Sequence, residues 1–192
     1  REVAGGATPR LALLTPGAYS ETYFEQAFLA RYLGVPLVEG GDLTVRGDRL
    51  YLKTVEGLEP VHGLLRRLDD DYCDPLELRP DSALGVPGLL QTVRAGTVVL
   101  ANALGSGFLE SPALQGFLPG IAQRLTGDGA LRLPSLPTWW CGEPAAWADV
   151  RGALADKRIR TTYPQGGRTS QVHERGGLDI GGDPAAWTVQ GR

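Results

Sequence analysis

LLRRLDDDYCDPLELRPDSALGVPGLLQTVRAGTVVLANALGSG, residues 64–107, is the stretch on which the fold turns. It opens with a short apolar segment that runs into the charged cluster Arg66-Arg67-Leu68-Asp69-Asp70-Asp71. Helical spacing occupies residues around 86–95, and residues 97–101, TVVLA, are β-branched and apolar. That run stops at Asn102 and a Gly105-Ser106-Gly107 loop. A strand, a helical crossover and a second strand make the repeating unit of an α/β domain with a largely parallel sheet.

The same alternation extends in both directions. Upstream, residues 11–14 (LALL) form an apolar run stopped by Thr15-Pro16-Gly17, which suits a buried strand. Ser20 is placed to cap a helix in which Glu21 and Glu25 fill the first turns. Phe24, Phe28, Leu29 and Leu33 then repeat at helical spacing until Gly34. Residues 35–38 read as the next strand. Leu43-Thr44-Val45 and Leu50-Tyr51-Leu52 flank Arg46-Gly47-Asp48-Arg49, a hairpin signal. Downstream, Ser111-Pro112 starts a helix that runs to about Leu125. Another helix is expected at 144–154, then strands near 157–162 and 186–190. Between those strands lies 164–184, PQGGRTSQVHERGGLDIGGDP, which has almost no apolar periodicity and reads as a mobile loop.

Composition narrows the function. No run reaches 18 apolar residues, so no membrane-spanning helix is expected. A net charge of −3 argues against a nucleic-acid binder held by a basic field. Only Lys53 and Lys157 are lysine among 19 basic residues, and arginine grips carboxylate and phosphate bidentately. Cys73 and Cys141 form no framework, and the first ten residues lack a secretory core. Both therefore read as reduced cytoplasmic thiols. The chain opens at Arg1, not Met, and so reads as a processed, trimmed or partial sequence.

The candidate chemistry sits in a few stretches. Asp69, Asp70, Asp71 and Asp74 repel one another unless Arg66, Arg67, a metal or water screens them. At the end of a strand in a parallel sheet they would face the crevice where such folds take ligands; the plain alternative is a solvated loop with an Asp helix cap. The 102–107 loop is either a seat for an anion on backbone N–H groups or a tight turn. Trp140-Cys141-Gly142 lacks a second cysteine for dithiol exchange, so the Trp pair reads as core or pocket wall. His62 and His173 are the only histidines, which leaves no His-rich metal site.

Three stretches together, 13–54, 64–119 and 131–144, resemble the circularly permuted ATP-grasp family of bacteria, whose members are often described as glutathionylspermidine-synthase-like. RRLDDDYCDPLELR and ANALGSG are its specific motifs. The resemblance implies a Rossmann-like pre-ATP-grasp α/β domain over 8–150, carrying a β-hairpin insertion, and the incomplete start of an ATP-grasp core over 151–192. It implies ATP- and Mg²⁺-dependent joining of a carboxylate to an amine through an acyl-phosphate, in a parent protein of which this chain alone is inactive and binds neither tightly. The partners implied are the remaining ATP-grasp lobe and a small-molecule or peptide substrate bearing carboxylate and amine, with no nucleic acid and no membrane.

Family logic places Arg66, Arg67, Asp69, Asp70, Asp71 and Asp74 on the substrate-facing side. Ser20, Glu21, Asn102, Ser106, Trp139 and Trp140 are second-rank candidates. Arg160 stands where the family has a phosphate-contacting Lys, Gly166 and Gly167 where its phosphate-covering loop lies, and Gln190 in the segment that lines adenine. Gly191 replaces an expected Glu. These two departures keep a rival reading open, a non-catalytic binding module derived from the family. No catalytic residue and no metal ligand is assigned.

Overall fold

A computed structural model describes residues 3–127, 133–163 and 183–191, with only the backbone of 155–156. The chain divides into two compact units, Arg1–Gly107 and Phe108–Arg192.

In the first unit the LALL run forms β1 (Leu11–Leu14) and Pro16 ends it. Helix α1 (Tyr23–Leu33) follows, closed by Gly34 at φ 68°, a left-handed conformation that glycine adopts without a Cβ clash. Then come β2 (Leu37–Val38), β3 (Leu43–Arg46), β4 (Arg49–Thr54), β5 (Gly57–Val61) and β6 (Gly63–Arg66). A short α2 (Leu89–Arg94) leads to β7 (Val99–Ala101). The parallel sheet runs β2-β1-β6-β7, and β3-β4-β5 form an antiparallel meander. The expected hairpin is present with a third strand added. Pro60 is tolerated in β5 because that strand lies at the edge of the meander.

Strand alternation gives the parallel sheet two distinct faces. Ala12, Leu14, Val38, Leu64 and Leu100 point to one, where Leu43, Leu50 and Val61 of the meander and Leu89 of α2 complete a single apolar core. Each Leu buried there contributes roughly 1.5–3 kcal/mol relative to exposure. Leu13, also fully buried, points to the opposite face, beneath α1.

Three local expectations change. Ser20 does not cap α1: the N-cap is Thr22, without a side-chain cap, and Glu21 precedes the helix. The face α1 buries carries Gln26 and Ala30, while Phe24, Phe28 and Leu33 are exposed. α2 starts later than expected, at Leu89, because Pro87-Gly88 precedes it and Gly88 takes φ 83°.

The second unit holds α3 (Leu114–Thr126), β8 (Thr138–Trp140), α4 (Pro144–Val150), β9 (Arg158–Thr161) and β10 (Trp187–Gln190). α4 gives way to a 3-10 turn over Arg151–Asp156, short of the continuous helix expected to 154. The strands form an antiparallel sheet in the order β8-β10-β9. The stretch 164–184, expected as a mobile loop, lies outside the described residues apart from its last two positions. Among the described residues no helix is long and apolar enough to cross a membrane.

Candidate functional site

Parallel strands carry their ligands at the carboxyl edge, where consecutive crossovers leave in opposite directions. In this sheet β1 is followed by β2 on one side and flanked by β6 on the other, so the switch lies between β1 and β6. The loops there are Thr15-Pro16-Gly17 and Arg67-Leu68-Asp69, joined where Arg67 N donates to Leu14 O at 2.8 Å. β7 delivers Asn102 to the same edge.

The acidic cluster splits into two groups at this edge. Arg66 donates through Nε to Asn102 O (2.9 Å), through Nη1 to Leu68 O (2.6 Å), and through Nη2 to Ala103 O and Ser106 Oγ (both 3.2 Å). It also forms an ion pair with Asp70. Asp70 Oδ2 accepts from Gly105 N at 2.9 Å and Gly107 N at 3.2 Å. The glycine loop that reads as an anion seat thus holds an anion already, the Asp70 carboxylate. A Cβ on Gly107 would lie 3.1 Å from Asp70 Oδ2, so the close approach favours glycine.

Asp74 is fully buried. Its Oδ1 accepts from Leu76 N (2.9 Å) and Gly88 N (3.1 Å), and its Oδ2 from Leu90 N (2.9 Å). The bonds from Gly88 N and Leu90 N satisfy free donors at the start of α2. The Cys73 thiol lies against Asp69 O at 3.3 Å, and burial pushes it up to about 11, far from thiolate reactivity. Arg67, Asp69 and Asp71 differ from all of these. They are exposed, and among the described residues their side chains have no hydrogen bond or ion pair.

The second-rank residues separate as well. Ser20 Oγ receives a long bond from Gln26 Nε2 (3.4 Å). Gln26 belongs to a buried relay in which Thr15 Oγ1 donates to Gln26 Oε1 at 2.6 Å and Gln26 Nε2 to Thr22 Oγ1 at 2.8 Å. Thr15 and Gln26 escaped the sequence reading; the signal was the uncharged polar Gln26 two positions from the apolar Phe24 and Phe28. Glu21 and Asn102 are exposed. Trp139 and Trp140, neighbours on β8, point to opposite faces and form no common wall. Trp139 Nε1 donates to Asp149 Oδ2 (2.8 Å) under Lys157, while Trp140 Nε1 donates to Ala185 O (3.0 Å) beside Phe117.

Register fixes the rest of that second sheet. Ile159 and Val189 share one face with Cys141, where Trp147 and Val150 cover them. The other face is polar: Arg160 sits opposite Thr188, which sits opposite Trp140, and Arg158 and Thr138 flank Gln190. Thr188 and Thr162 are buried and share a bond at 2.9 Å between their hydroxyls. Ser111 Oγ donates to Thr162 O at 2.7 Å, and Gln190 Nε2 donates to Gln115 Oε1. Arg160 Nε is buried on this face and, among the described residues, has no hydrogen-bond partner. The sheet therefore brings Arg160 and Gln190 onto one face, two positions apart in register. Gly166 and Gly167 lie outside the described residues.

Residues 1–177 match the family described as circularly permuted ATP-grasp type 2. The chain belongs to this family. Similar proteins include an uncharacterised protein of Mycobacterium tuberculosis, 48% identical over 154 residues, covering 80% of this chain and 17% of that protein. One from Synechocystis is 40% identical over 161 residues, covering 84% and 33%. One from Mycobacterium leprae is 44% identical over 192 residues, covering 96% and 34%. The chain thus spans between 17% and 34% of the length of these relatives.

Within the ATP-grasp family frame, an orphaned cationic nitrogen on a buried polar face fits a phosphate group. Among the described residues no group of three or more His, Cys, Asp or Glu is placed to hold a metal ion.

Proposed function

We propose that these residues form part of an ATP-dependent carboxylate–amine ligase. In this reading residues 8–150 are its Rossmann-like pre-ATP-grasp portion and 151–192 the start of its ATP-grasp core. Bound ATP supplies the phosphoryl group that converts a carboxylate into an acyl donor for an amine. This chain's share is to hold and orient. Arg160 takes up phosphate charge, and its unpartnered buried Nε is the observation that carries the reading. Gln190 lies on the same face, two positions away in register, with its Nε2 given to Gln115. At the edge of the parallel sheet Arg67 is free to bind a carboxylate, and Asp69 and Asp71 an ammonium group. Asn102 and Glu21 are exposed polar side chains that can add to substrate contact. Arg66 and Asp70 position the 102–107 loop and need not touch substrate.

The test is an NMR titration of the 192-residue chain with ATP. Weak binding is expected, with amide shifts concentrated at 158–161 and 187–190 and abolished by Arg160→Gln. Shifts that survive Arg160→Gln, or that avoid both strands, sink the nucleotide assignment. A non-catalytic module would give the same shifts, but the longer protein would then release no ADP when offered carboxylate and amine together.

A further inference from the structure

A parallel sheet is stable when both its faces are covered. Here the face bearing Leu13 is only half covered among the described residues. α1 packs on β1 and β2, and among the described residues no helix packs extensively on β6 or β7. Register puts Gly63, Leu65, Val99 and Ala101 on the uncovered half, with Leu11 beside them at the start of β1. Leu11 is 52% exposed and Val99 57% exposed, although both are apolar strand residues. Adjacent strands lie about 4.8 Å apart, so this strip is roughly 10 Å wide, the diameter of one helix. Leu11 lies across Gly63, where a Cβ would meet its Cδ2 at 2.5 Å, and the exposed Ala101 leaves the far end of the strip low.

The helix beside it has the opposite deficiency. α1 turns Gln26 and Ala30 toward its own sheet and leaves Phe24, Phe28 and Tyr32 on the outer side, 83%, 65% and 79% exposed. These three residues recur every fourth position and form one aromatic stripe pointing away from the sheet. A stripe of this kind on a helix without a partner marks an interaction surface.

We propose that the strip and the stripe are the two halves of one isologous interface between two copies of this chain. Each α1 turns its rings into the other copy's open strip, so two helices lie side by side in one layer between two sheets. Closed twofold symmetry requires a surface that carries both a projection and its own receptor, and this face carries both. The area is adequate. An aromatic side chain buries roughly 150–250 Å². With Leu11, Leu33 and Val99 added, each copy offers on the order of 700 Å², close to the ~800 Å² per partner of a standard interface. This inference stands apart from the nucleotide reading, which concerns the second unit.

Analytical ultracentrifugation of the full 192-residue chain tests it, with Phe28→Asp altering the projection and Val99→Asp the receptor. Both side chains are exposed in the single chain, so far-UV circular dichroism and the urea midpoint of the monomer should not move. The wild-type chain is expected to dimerise, and each substitution should raise the dissociation constant at least about tenfold. A chain that stays monomeric at sub-millimolar concentration overturns the proposal and leaves the strip to a helix from another polypeptide segment. A dimer indifferent to both substitutions also overturns it, because its interface would lie elsewhere.

Discussion

The two units treat buried polar groups differently. In the first, polar side chains under the surface are spent on the fold: Asp70 on Arg66 and two glycine N–H groups, Asp74 on three N–H groups, Gln26 on Thr15 and Thr22. In the second, Thr162, Thr188 and Gln190 are paired on a buried face, yet Arg160 Nε beside them is not. Burying an unpaired polar group costs free energy, so a sheet that tolerates one retains it for a bound partner or at a standing loss. The contrast separates side chains paired within the fold from one left unpaired among the described residues.

The largest test of this contrast lies in the acidic cluster. Asp70→Ala strands a guanidinium that is nine-tenths buried and should cost about 3 kcal/mol in urea unfolding. Asp71→Ala, one position on and exposed, should stay within about 0.5 kcal/mol. Equal effects would erase the distinction between spent and free carboxylates. A smaller effect is expected on the polar face. Thr188→Val breaks the bond to Thr162 and should cost about 1 kcal/mol. Arg160→Met removes an unpartnered group and should leave stability within about 0.5 kcal/mol, with the ATP response lost. A large destabilisation by Arg160→Met would make that arginine structural.

Near neutral pH the smallest effect belongs to Cys73. Burial raises its thiol from 9.0 to about 11. In that window the unfolded chain gives up a proton that the folded chain keeps, so stability falls as pH rises from about 9 toward 11. Below it, both states hold the proton and Cys73 adds no slope. Urea midpoints measured at both ends of the window should fall less in Cys73→Ala than in the wild type; parallel curves would refute the burial effect.

Periodicity made the elements legible, because an apolar strand ending at Pro16 or a helix closing at Gly34 is written in neighbouring residues. The edge strand β5 was not legible, since Gly57, Glu59 and Pro60 carry no strand signal and the pairing with β4 supplies it. The acidic cluster was visible as a cluster but not as two groups. Which aspartate is spent depends on a glycine loop some 35 residues away, for Asp70, and on the start of α2, for Asp74. The Phe24, Phe28 and Leu33 spacing gave the helix correctly. It could not say which face met the sheet, because the buried side is lined by Gln26 and Ala30. Alternation along β8 was available to send Trp139 and Trp140 in opposite directions, and reading them as a pair passed over it.

The Asp70 carboxylate in the glycine loop also constrains how this sequence can drift. A Cβ at Gly107 would crowd Asp70 Oδ2 at 3.1 Å, and Asp70 is held there by Arg66, whose donors also grip the carbonyls of Asn102 and Ala103. Loss of Asp70 leaves Arg66 with its carbonyl partners but without a counter-charge, and leaves the Gly105 and Gly107 N–H groups without their acceptor. Arg66 and Asp70 stand four positions apart and Gly107 joins them from 37 positions on, so the three form one mechanical unit in which a substitution at any member is felt at the other two.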